Sequence, residues 1–192
     1  KFPNITVISE ENFSGAERIE EKTFFIVDPL DGTKEFISKN GEFTVNIAYI
    51  ENGELRAAVI YIPVWDEVYF AEKNKGAFLL KNDSEVKLPL QKNEEKVAVI
   101  SRSHSGEVET EFLGKMGIKN IINVGSSIKL CWLASGKANI YVRKTPMMLW
   151  DIAAGYLICE EAGAVITEFD GSPVDLAKLK LQGMLGKNTI QL

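Results

Sequence analysis

The residues most suited to chemistry are two aspartates, Asp28 and Asp31, in the hexapeptide Asp-Pro-Leu-Asp-Gly-Thr at 28–33. They follow the apolar run 24–27, so both carboxylates stand where a predicted strand ends at the proline. Two carboxylates held together repel each other unless a cation neutralises them, and all-oxygen ligands favour a hard ion such as Mg²⁺. Gly32 and Thr33 open a helix-like segment whose free N–H groups can bind phosphate oxygens. The alternative is that Asp31 only caps that helix.

Two further acidic stretches support a metal site. Glu10 and Glu11 follow the apolar run 5–8, so they also stand at the end of a predicted strand. Asp151 lies at a predicted helix start, in Trp-Asp-Ile-Ala-Ala-Gly at 150–155, where small residues permit another element to approach closely. Each stretch has an ordinary alternative, since the glutamates could be solvated surface charges and Asp151 a helix cap. Together the three stretches favour one metal site over three coincidences.

The composition limits the class of protein. The chain has 192 residues, 45% of them hydrophobic, which suffices for one domain or two fused lobes. Its net charge of −5 argues against binding a nucleic-acid polymer but not against binding a small anion. Without a secretory signal or a long apolar segment, we expect a cytoplasmic protein with no transmembrane segment, and peripheral membrane association stays open. Cys131 and Cys159 fit no metal-binding spacing and are predicted to be buried free thiols.

The first half of the chain predicts an antiparallel sheet. Asn52 and Gly53 separate two strand-like runs, 43–50 and 55–62, which is the strongest short-range signal for a hairpin. Further strands of the same sheet are predicted at 64–70 and 76–80.

The second half predicts alternating strands and helices. The strands are expected at 97–100, 121–124, 139–142 and 164–169, and the helices at 107–116, 127–135 and 151–162. A glycine follows each helix closely, as is common where helices end. The two halves together predict a layered α/β arrangement with mixed sheets.

The acidic motifs resemble those of the inositol monophosphatase superfamily of lithium-sensitive phosphatases, and in particular its 3'(2'),5'-bisphosphate nucleotidase branch. The resemblance spans nearly the whole chain, and the motifs at 28–33 and 150–155 are highly specific in combination. It implies an α+β fold, a layered α-β-α-β-α sandwich with mixed sheets. It also implies one phosphatase domain over 1–192 in two fused lobes. These are a metal-binding lobe over about 1–95 and a substrate-binding lobe over about 96–192, with Asp151 returning to the metal site.

The chemistry implied by the resemblance is hydrolysis of a phosphate monoester with two or three Mg²⁺ ions. The implied metal ligands are Glu10, Asp28, the carbonyl of Leu30, Asp31 and Asp151. Thr33, Asp28 and Asp31 form the implied catalytic group, in which the Thr33 hydroxyl helps to orient the attacking water. The family also has N-terminal helices with an acidic motif, and this chain begins after that segment, at Lys1. We therefore expect a fragment of an active parent, truncated at the N-terminus of its metal-binding lobe.

Three stretches, 40–48, 101–104 and 125–129, resemble the nucleotidase branch rather than the inositol branch. Inositol-specific relatives tend to carry an acid near position 143, whereas a guanidinium there suits a second phosphate, which it can grip with two parallel hydrogen bonds. The implied substrate-binding residues are Gly32, Thr33, His104, Gly125, Ser126, Ser127, Lys129, Arg143 and Asp151. Ordinary alternatives remain: Lys129 as a solvated helix residue, Arg143 as a surface ion-pair partner and His104 as a structural residue.

The sequence therefore predicts Mg²⁺-dependent hydrolysis of the 3'-phosphate of adenosine 3',5'-bisphosphate to AMP and phosphate, with the sulfated form of this nucleotide as a further substrate. The partner is a small nucleotide, and nothing in the sequence indicates the oligomeric state. Inositol monophosphatase or fructose-1,6-bisphosphatase activity is an alternative within the superfamily. A non-catalytic nucleotide- or metal-binding fragment is an alternative of another class.

Overall fold

A computed structural model describes residues 4–13, 22–90, 95–103, 106–145, 147–172 and 174, and the backbone of 188–191. The strands are β1 (Thr6–Ser9), β2 (Phe24–Asp31), β3 (Thr44–Glu51), β4 (Glu54–Ile62), β5 (Glu67–Glu72), β6 (Gly76–Lys81), β7 (Ser84–Lys87), β8 (Val97–Ser101), β9 (Asn120–Val124), β10 (Ile140–Arg143), β11 (Val165–Glu168) and β12 (Asn188–Gln191). The helices are α1 (Thr33–Ile37), α2 (Glu107–Lys115), α3 (Ile128–Ser135) and α4 (Leu149–Glu161).

Strands β1 to β7 form one sheet in chain order, with β1 parallel to β2 and each later pair antiparallel. The predicted hairpin is confirmed as β3 and β4. Asn52 and Gly53 form its turn with φ of 54° and 82°, a left-handed backbone that Asn and Gly adopt readily. Side chains along β3 alternate between a buried face and an outer face, as a half-buried strand requires.

The remaining strands form a five-stranded sheet in the order β11-β12-β10-β8-β9. Strand β8 runs parallel to β9 and β10, while β12 runs antiparallel to both of its neighbours. This combination confirms the prediction of mixed sheets. Helices cover both faces of β8, because Val97 and Val99 join the main core while Ala98 and Ile100 join a smaller apolar cluster with Leu113 of α2.

The two sheets enclose a helical layer. Helix α4 lies across strands β2 to β6, and α3 packs between α4 and strands β8 and β10. The two helices come close together at Gly155, where a Cβ atom would stand 2.8 Å from the Cβ of Leu130, a distance that real side chains do not tolerate. The layers are thus a sheet, a helix pair, a second sheet and α2, which confirms the predicted α+β fold with layered, mixed sheets.

Some predicted boundaries were wrong. Strand β2 does not stop at Pro29 but continues to Asp31, because an irregularity in its register between Asp28 and Asp31 accommodates the proline. The strand expected at 64–70 begins only at Glu67, and the helix expected from Asp151 begins at Leu149.

Two elements were not predicted from sequence. Every residue of β7 is exposed, so this edge strand shows no alternation between apolar and polar positions. Strand β12 carries mainly polar residues in Asn-Thr-Ile-Gln and likewise gives no periodic signal.

Two further predictions concern the cysteines and membrane-spanning helices. Cys131 and Cys159 are both free and buried, as predicted. No helix in the described part of the chain has both the length and the apolar character needed to cross a membrane.

Candidate metal and phosphate site

The end of β2 places two carboxylates over one cavity of about 320 Å³. Asp28 pairs across the sheet with Asn46, and Asp31 pairs with Thr44. The shift in register between these pairs brings both aspartates to the same cavity, although β2 runs through a proline between them. The local sequence therefore creates the site by bending the end of the strand.

Asp28 is almost fully buried, with 1% of its surface exposed. Its Oδ1 accepts a hydrogen bond of 3.0 Å from the N–H of Leu30, while no described group donates to its buried Oδ2. Burial, and secondarily the negative charge of Asp31, raises the pKa of Asp28 to about 8. A buried carboxylate with one unsatisfied oxygen needs either a proton or a cation.

Asp31 is held by several donors. Its Oδ2 accepts hydrogen bonds from the N–H and the hydroxyl of Ser127, at 2.7 and 2.6 Å. Longer bonds of 3.3 and 3.4 Å come from Asn46 and Thr44 of β3. Residues from β3 and from the start of α3 therefore fix this carboxylate through a single oxygen, and no bond from the described residues reaches Oδ1.

Asp151 lies in the first turn of α4, not at its cap position. Its Oδ2 accepts a hydrogen bond of 2.9 Å from the N–H of Met148, the residue before the helix. The helix-cap alternative therefore accounts for Oδ2 alone. Within the described residues, no protein group donates a hydrogen bond to Oδ1 of Asp151. Burial, followed by the charge of Asp31, raises the pKa of Asp151 to about 6.

These three aspartates form a set that fits a metal ion. Each offers one carboxylate oxygen, and the three oxygens lie within 4.8 Å of one another. The unpartnered Oδ2 of Asp28 is what a site built for a cation would contain, and an all-oxygen donor set matches a hard divalent ion.

The other predicted ligands line the same cavity. Glu10 is exposed at the end of β1, and its pKa is raised by partial burial and by the charges of Glu11 and Asp31. The carbonyl of Leu30 accepts a long hydrogen bond of 3.4 Å from the Thr33 hydroxyl. Both groups therefore border the cavity, although the tight three-carboxylate group contains neither. Glu11 is exposed, in agreement with the surface-charge alternative for that residue.

The junction before α1 is tightly packed. Gly32 has φ of 90°, and a Cβ atom there would stand 3.0 Å from the carbonyl oxygen of Glu42 and 3.1 Å from the Cβ of Ser126. Glycine is therefore required by both its backbone angle and its surroundings. Gly32 and Thr33 line the cavity. Asp31 does not cap α1, because Gly32 occupies the cap position.

The three residues of the Gly-Ser-Ser sequence at 125–127 have two different roles. Ser126 and Ser127 line the cavity, and Ser126 has a left-handed backbone with φ of 46°. Gly125 lies outside the cavity lining, and its N–H donates to Glu42 Oε2 at 2.7 Å. A Cβ at Gly125 would stand 2.8 Å from the carbonyl oxygen of Glu42, so this glycine permits close packing.

Lys129 is buried, with 4% of its surface exposed, so the alternative of a solvated helix residue is wrong. Its ammonium donates to the carbonyls of Val124 and Ser126 and lies 5.7 Å from the centre of the Tyr141 ring. Burial lowers the pKa of Lys129 to about 8. Lys129 lines the cavity, but part of its hydrogen-bonding capacity is used on the backbone.

Arg143 is half-buried at the end of β10 and lines the cavity beside Asp151. Its Nε donates to the carbonyl of Thr145 at 3.1 Å. Among the residues that the structure describes, Arg143 forms no ion pair, which argues against the surface ion-pair alternative. His104 lies outside the described residues.

Sequence reasoning missed several residues that shape the site. Asn46 donates to Asp31 and to Ser127, and a buried polar residue within an apolar strand could have signalled this role. Glu42, just before β3, and Arg102, just after β8, form two hydrogen bonds of 2.8 and 2.7 Å and so link the two sheets. No local pattern indicates that these two residues meet.

Comparisons with known proteins were consistent with the geometry. The model of the inositol monophosphatase family matches residues 1–189. The chain is 40% identical over 176 residues to the 3'(2'),5'-bisphosphate nucleotidase CysQ of Escherichia coli K12, covering 90% of this chain and 70% of that protein. It is 30% identical over 176 residues to a fructose-1,6-bisphosphatase/inositol-1-monophosphatase of Thermotoga maritima, covering 88% of this chain and 64% of that protein.

A solved structure gives the same relationship. The crystal structure of CysQ from Bacteroides thetaiotaomicron superposes with a TM-score of 0.82 at 35% identity, covering 98% of this chain and 77% of the other. The family match extends over nearly the whole sequence, and it includes both the aspartates of β2 and the aspartate of α4. The resemblance inferred from the acidic motifs is confirmed, and the chain belongs to the inositol monophosphatase family.

Proposed function

We propose that this chain hydrolyses the 3'-phosphate of adenosine 3',5'-bisphosphate to give AMP and phosphate, with Mg²⁺ as its metal. The observation that carries the proposal is the arrangement of the cavity, in which three aspartates face Lys129 and Arg143. A bisphosphate nucleotide needs both kinds of group, because one phosphate reacts at a metal while the other must be held by cations.

The acidic side would hold two or three Mg²⁺ ions. The proposed ligands are Glu10, Asp28, the carbonyl of Leu30, Asp31 and Asp151. When bound, the metal supplies a water of lowered pKa and neutralises charge on the leaving oxygen. Overall, a water oxygen bonds to the phosphorus, the bond to the ribose 3'-oxygen breaks, and that oxygen leaves with a proton.

The chain's own residues orient the reactants in this proposal. Thr33 is exposed to the cavity, where its hydroxyl can hold the attacking water. Gly32, Thr33 and Lys34, at the start of α1, line the cavity together with Ser126, and their N–H and hydroxyl groups would bind the reacting phosphate. Asp28, which is buried and lacks a donor to Oδ2, is the group most strongly dependent on the metal.

The basic side would select the second phosphate. Arg143 uses Nε on Thr145, and a guanidinium carries further N–H donors for a phosphate. Lys129 is bound to two carbonyls and contributes mainly its charge. His104 and Asp151 complete the proposed nucleotide site. The sulfated form of the nucleotide has the same bisphosphate pattern and is a second proposed substrate.

We also propose that the chain forms one domain of two fused lobes, about 1–95 and about 96–192. The first lobe supplies Asp28 and Asp31, and the second supplies Asp151 and Arg143, so the reaction takes place where the lobes meet. The buried free thiols support a reducing compartment, and we propose the cytoplasm.

Phosphate release from adenosine 3',5'-bisphosphate and from inositol 1-phosphate tests the proposal. Wild type in its full natural length would be compared with Asp28→Asn, with and without Mg²⁺. Asp83→Asn is the matched control, because Asp83 is an exposed turn residue remote in sequence from the motifs. We expect Mg²⁺-dependent release from the nucleotide that is lost only in Asp28→Asn.

The other outcomes separate the alternatives. Faster release from inositol 1-phosphate would keep the metal site and overturn the assignment of Arg143 to a second phosphate. Fructose 1,6-bisphosphate belongs in the same panel, since the Thermotoga maritima relative carries that name. A folded protein that binds the nucleotide without releasing phosphate would favour the binding-only alternative.

A further inference from the structure

Helix α2 contains a buried carboxylate that the proposed reaction does not use. Glu109 is 3% exposed, and no lysine or arginine in the described parts of the chain forms an ion pair with it. Its Oε2 accepts a hydrogen bond of 3.0 Å from the N–H of Gly106, and its Oε1 accepts one of 2.9 Å from the N–H of Lys144. Within the described residues both donors to this buried carboxylate are backbone N–H groups, and such charge-assisted hydrogen bonds hold the two backbone segments in place.

The segment that Glu109 holds is the one that orients Arg143. Lys144 directly follows Arg143, and the next residue, Thr145, accepts the Nε–H of Arg143 at 3.1 Å. Through the backbone of Lys144, Glu109 is therefore linked to the carbonyl that sets the position of the guanidinium. An arginine anchored in this way loses less freedom when it binds a phosphate through two hydrogen bonds.

The same carboxylate connects a second loop to the first. Gly106 begins the approach to α2, two residues after position 104, while Lys144 lies on the path from β10 to α4. Farther along that path, Met148 donates to Asp151. The chain between Arg143 and Asp151 is thus fixed at one end by Glu109 and at the other by a carboxylate of the metal site.

We propose that Glu109 is a positioning residue that acts through Arg143 to set the preference for a substrate with a second phosphate. The inference rests on the proposed function, because it requires Arg143 to bind that phosphate. Glu109 itself lies outside the cavity lining and does not touch the reacting atoms. Its loss affects the choice between substrates and leaves the metal chemistry intact.

The test compares kcat and KM for adenosine 3',5'-bisphosphate and for adenosine 3'-monophosphate. Glu109→Gln keeps the shape of the side chain. Its amide NH₂ group would face one of the two backbone N–H groups, so one of the two hydrogen bonds is lost. We expect KM for the bisphosphate to rise about tenfold, the size of effect seen when a hydrogen bond to a charged group is lost. The kcat for both substrates and the KM for the monophosphate stay unchanged.

A double-mutant cycle shows whether the effect passes through the arginine. Arg143→Ala is expected to remove the preference for the bisphosphate, and Glu109→Gln added to Arg143→Ala is expected to change it no further. Glu111→Gln is the matched control, since Glu111 lies on the same helix with an exposed side chain paired to Lys115. Should Glu109→Gln fail to fold, Glu109→Asp keeps the charge and shortens the reach.

Three results would overturn the inference in distinguishable ways. If Arg143→Ala removes the preference while a folded Glu109 variant retains it, only the positioning role fails. If Glu109→Gln impairs both substrates equally, the residue serves general folding. If wild type does not prefer the bisphosphate and Arg143→Ala changes nothing, the proposed role of Arg143 fails and the role of Glu109 fails with it.

Discussion

The acidic and basic sides of the cavity are built differently. On the acidic side, Asp28, Asp31 and Asp151 each have one oxygen bound by a donor of the chain, and a second oxygen that no described donor reaches. On the basic side, Lys129 already spends hydrogen bonds on two carbonyls, and Arg143 spends one on Thr145. Each aspartate is thus held in position by one oxygen while its other oxygen lacks a hydrogen-bond donor within the described part of the chain, whereas the lysine ammonium has acceptors for most of its N–H groups.

This difference separates two kinds of function. A cluster of oriented but unsatisfied carboxylates stores electrostatic repulsion that only a cation relieves, so its members should act as a unit. A satisfied cation supplies a constant positive potential, and the half-buried arginine at the end of β10, whose Nε is held by Thr145, keeps further N–H donors for a phosphate. Substitutions on the acidic side should therefore abolish the reaction, and substitutions on the basic side should shift substrate choice.

The largest effect should come from Asp151→Asn. The amide oxygen can still accept the hydrogen bond from Met148, so the helix start remains intact while a charged metal ligand is lost. We expect kcat/KM to fall by about a thousandfold or more for mono- and bisphosphate substrates alike. Steady-state kinetics at saturating Mg²⁺ would measure this. A loss confined to the bisphosphate would erase the distinction between the two sides.

Ser127→Ala should give the next largest effect. Ser127 donates both its N–H and its hydroxyl to Asp31, and only the hydroxyl is removed. Loss of such an orienting hydrogen bond typically weakens metal binding by about 10- to 100-fold. The Mg²⁺ concentration for half-maximal activity should rise accordingly. Ser172→Ala, at an exposed turn, is the control, and an unchanged Mg²⁺ requirement in Ser127→Ala would contradict the prediction.

The free energy of unfolding of the metal-free protein should depend on pH because of Asp28, on the acidic side of the cavity. Folding raises the pKa of Asp28 from 3.8 to about 8, so its contribution to stability is complete below pH 3.8 and is lost as pH rises through about 8. Each tenfold difference in proton affinity between the folded and unfolded chains corresponds to about 1.4 kcal/mol. With a chelator present, the free energy of unfolding in urea should therefore fall as the pH rises from about 5 to about 8.

Two comparisons isolate the cause of that slope. Mg²⁺ should flatten it, because the bound ion neutralises the carboxylates without protons. Asp28→Asn should flatten it in the absence of metal, while Asp83→Asn should leave it unchanged. A metal-free slope that persists in Asp28→Asn would show that other groups dominate.

The smallest effect should come from the pair that joins the two sheets. Glu42 and Arg102 make two short hydrogen bonds, but 44% of the arginine side chain is exposed, which screens the pair. A double-mutant cycle with Glu42→Ala and Arg102→Ala should give a coupling of about 1 kcal/mol in the free energy of unfolding. The exposed pair of Lys115 and Glu111 is the reference, and an equal coupling there would remove any special role for the sheet-spanning pair.

The sequence was most informative where chemistry coincides with the end of a regular element. Asp28, Asp31 and Asp151 were predicted together because strand ends and helix starts are visible in local patterns, and the structure places them within ligand distance of each other. The hairpin at Asn52 was predicted because its turn demands particular backbone angles.

The remaining features depend on contacts between distant parts of the chain. Arg102 meets Glu42 across 60 positions, and Glu109 meets Lys144 across 35, so no local pattern reveals either pair. The burial of Lys129 was likewise hidden, because it depends on the left-handed turn at Ser126 that directs two carbonyls toward the ammonium. Propensity and periodicity cannot report contacts of this kind.

The close approach of α3 and α4 at Gly155 has a consequence for how the site can move. Leu130 fills the space where a side chain at position 155 would stand, so the two helices are locked against sliding past each other. Opening and closing of the cavity should then occur outside the helical layer, and not by shear within it. NMR relaxation measurements on the millisecond timescale should then show α3 and α4 moving as one rigid body.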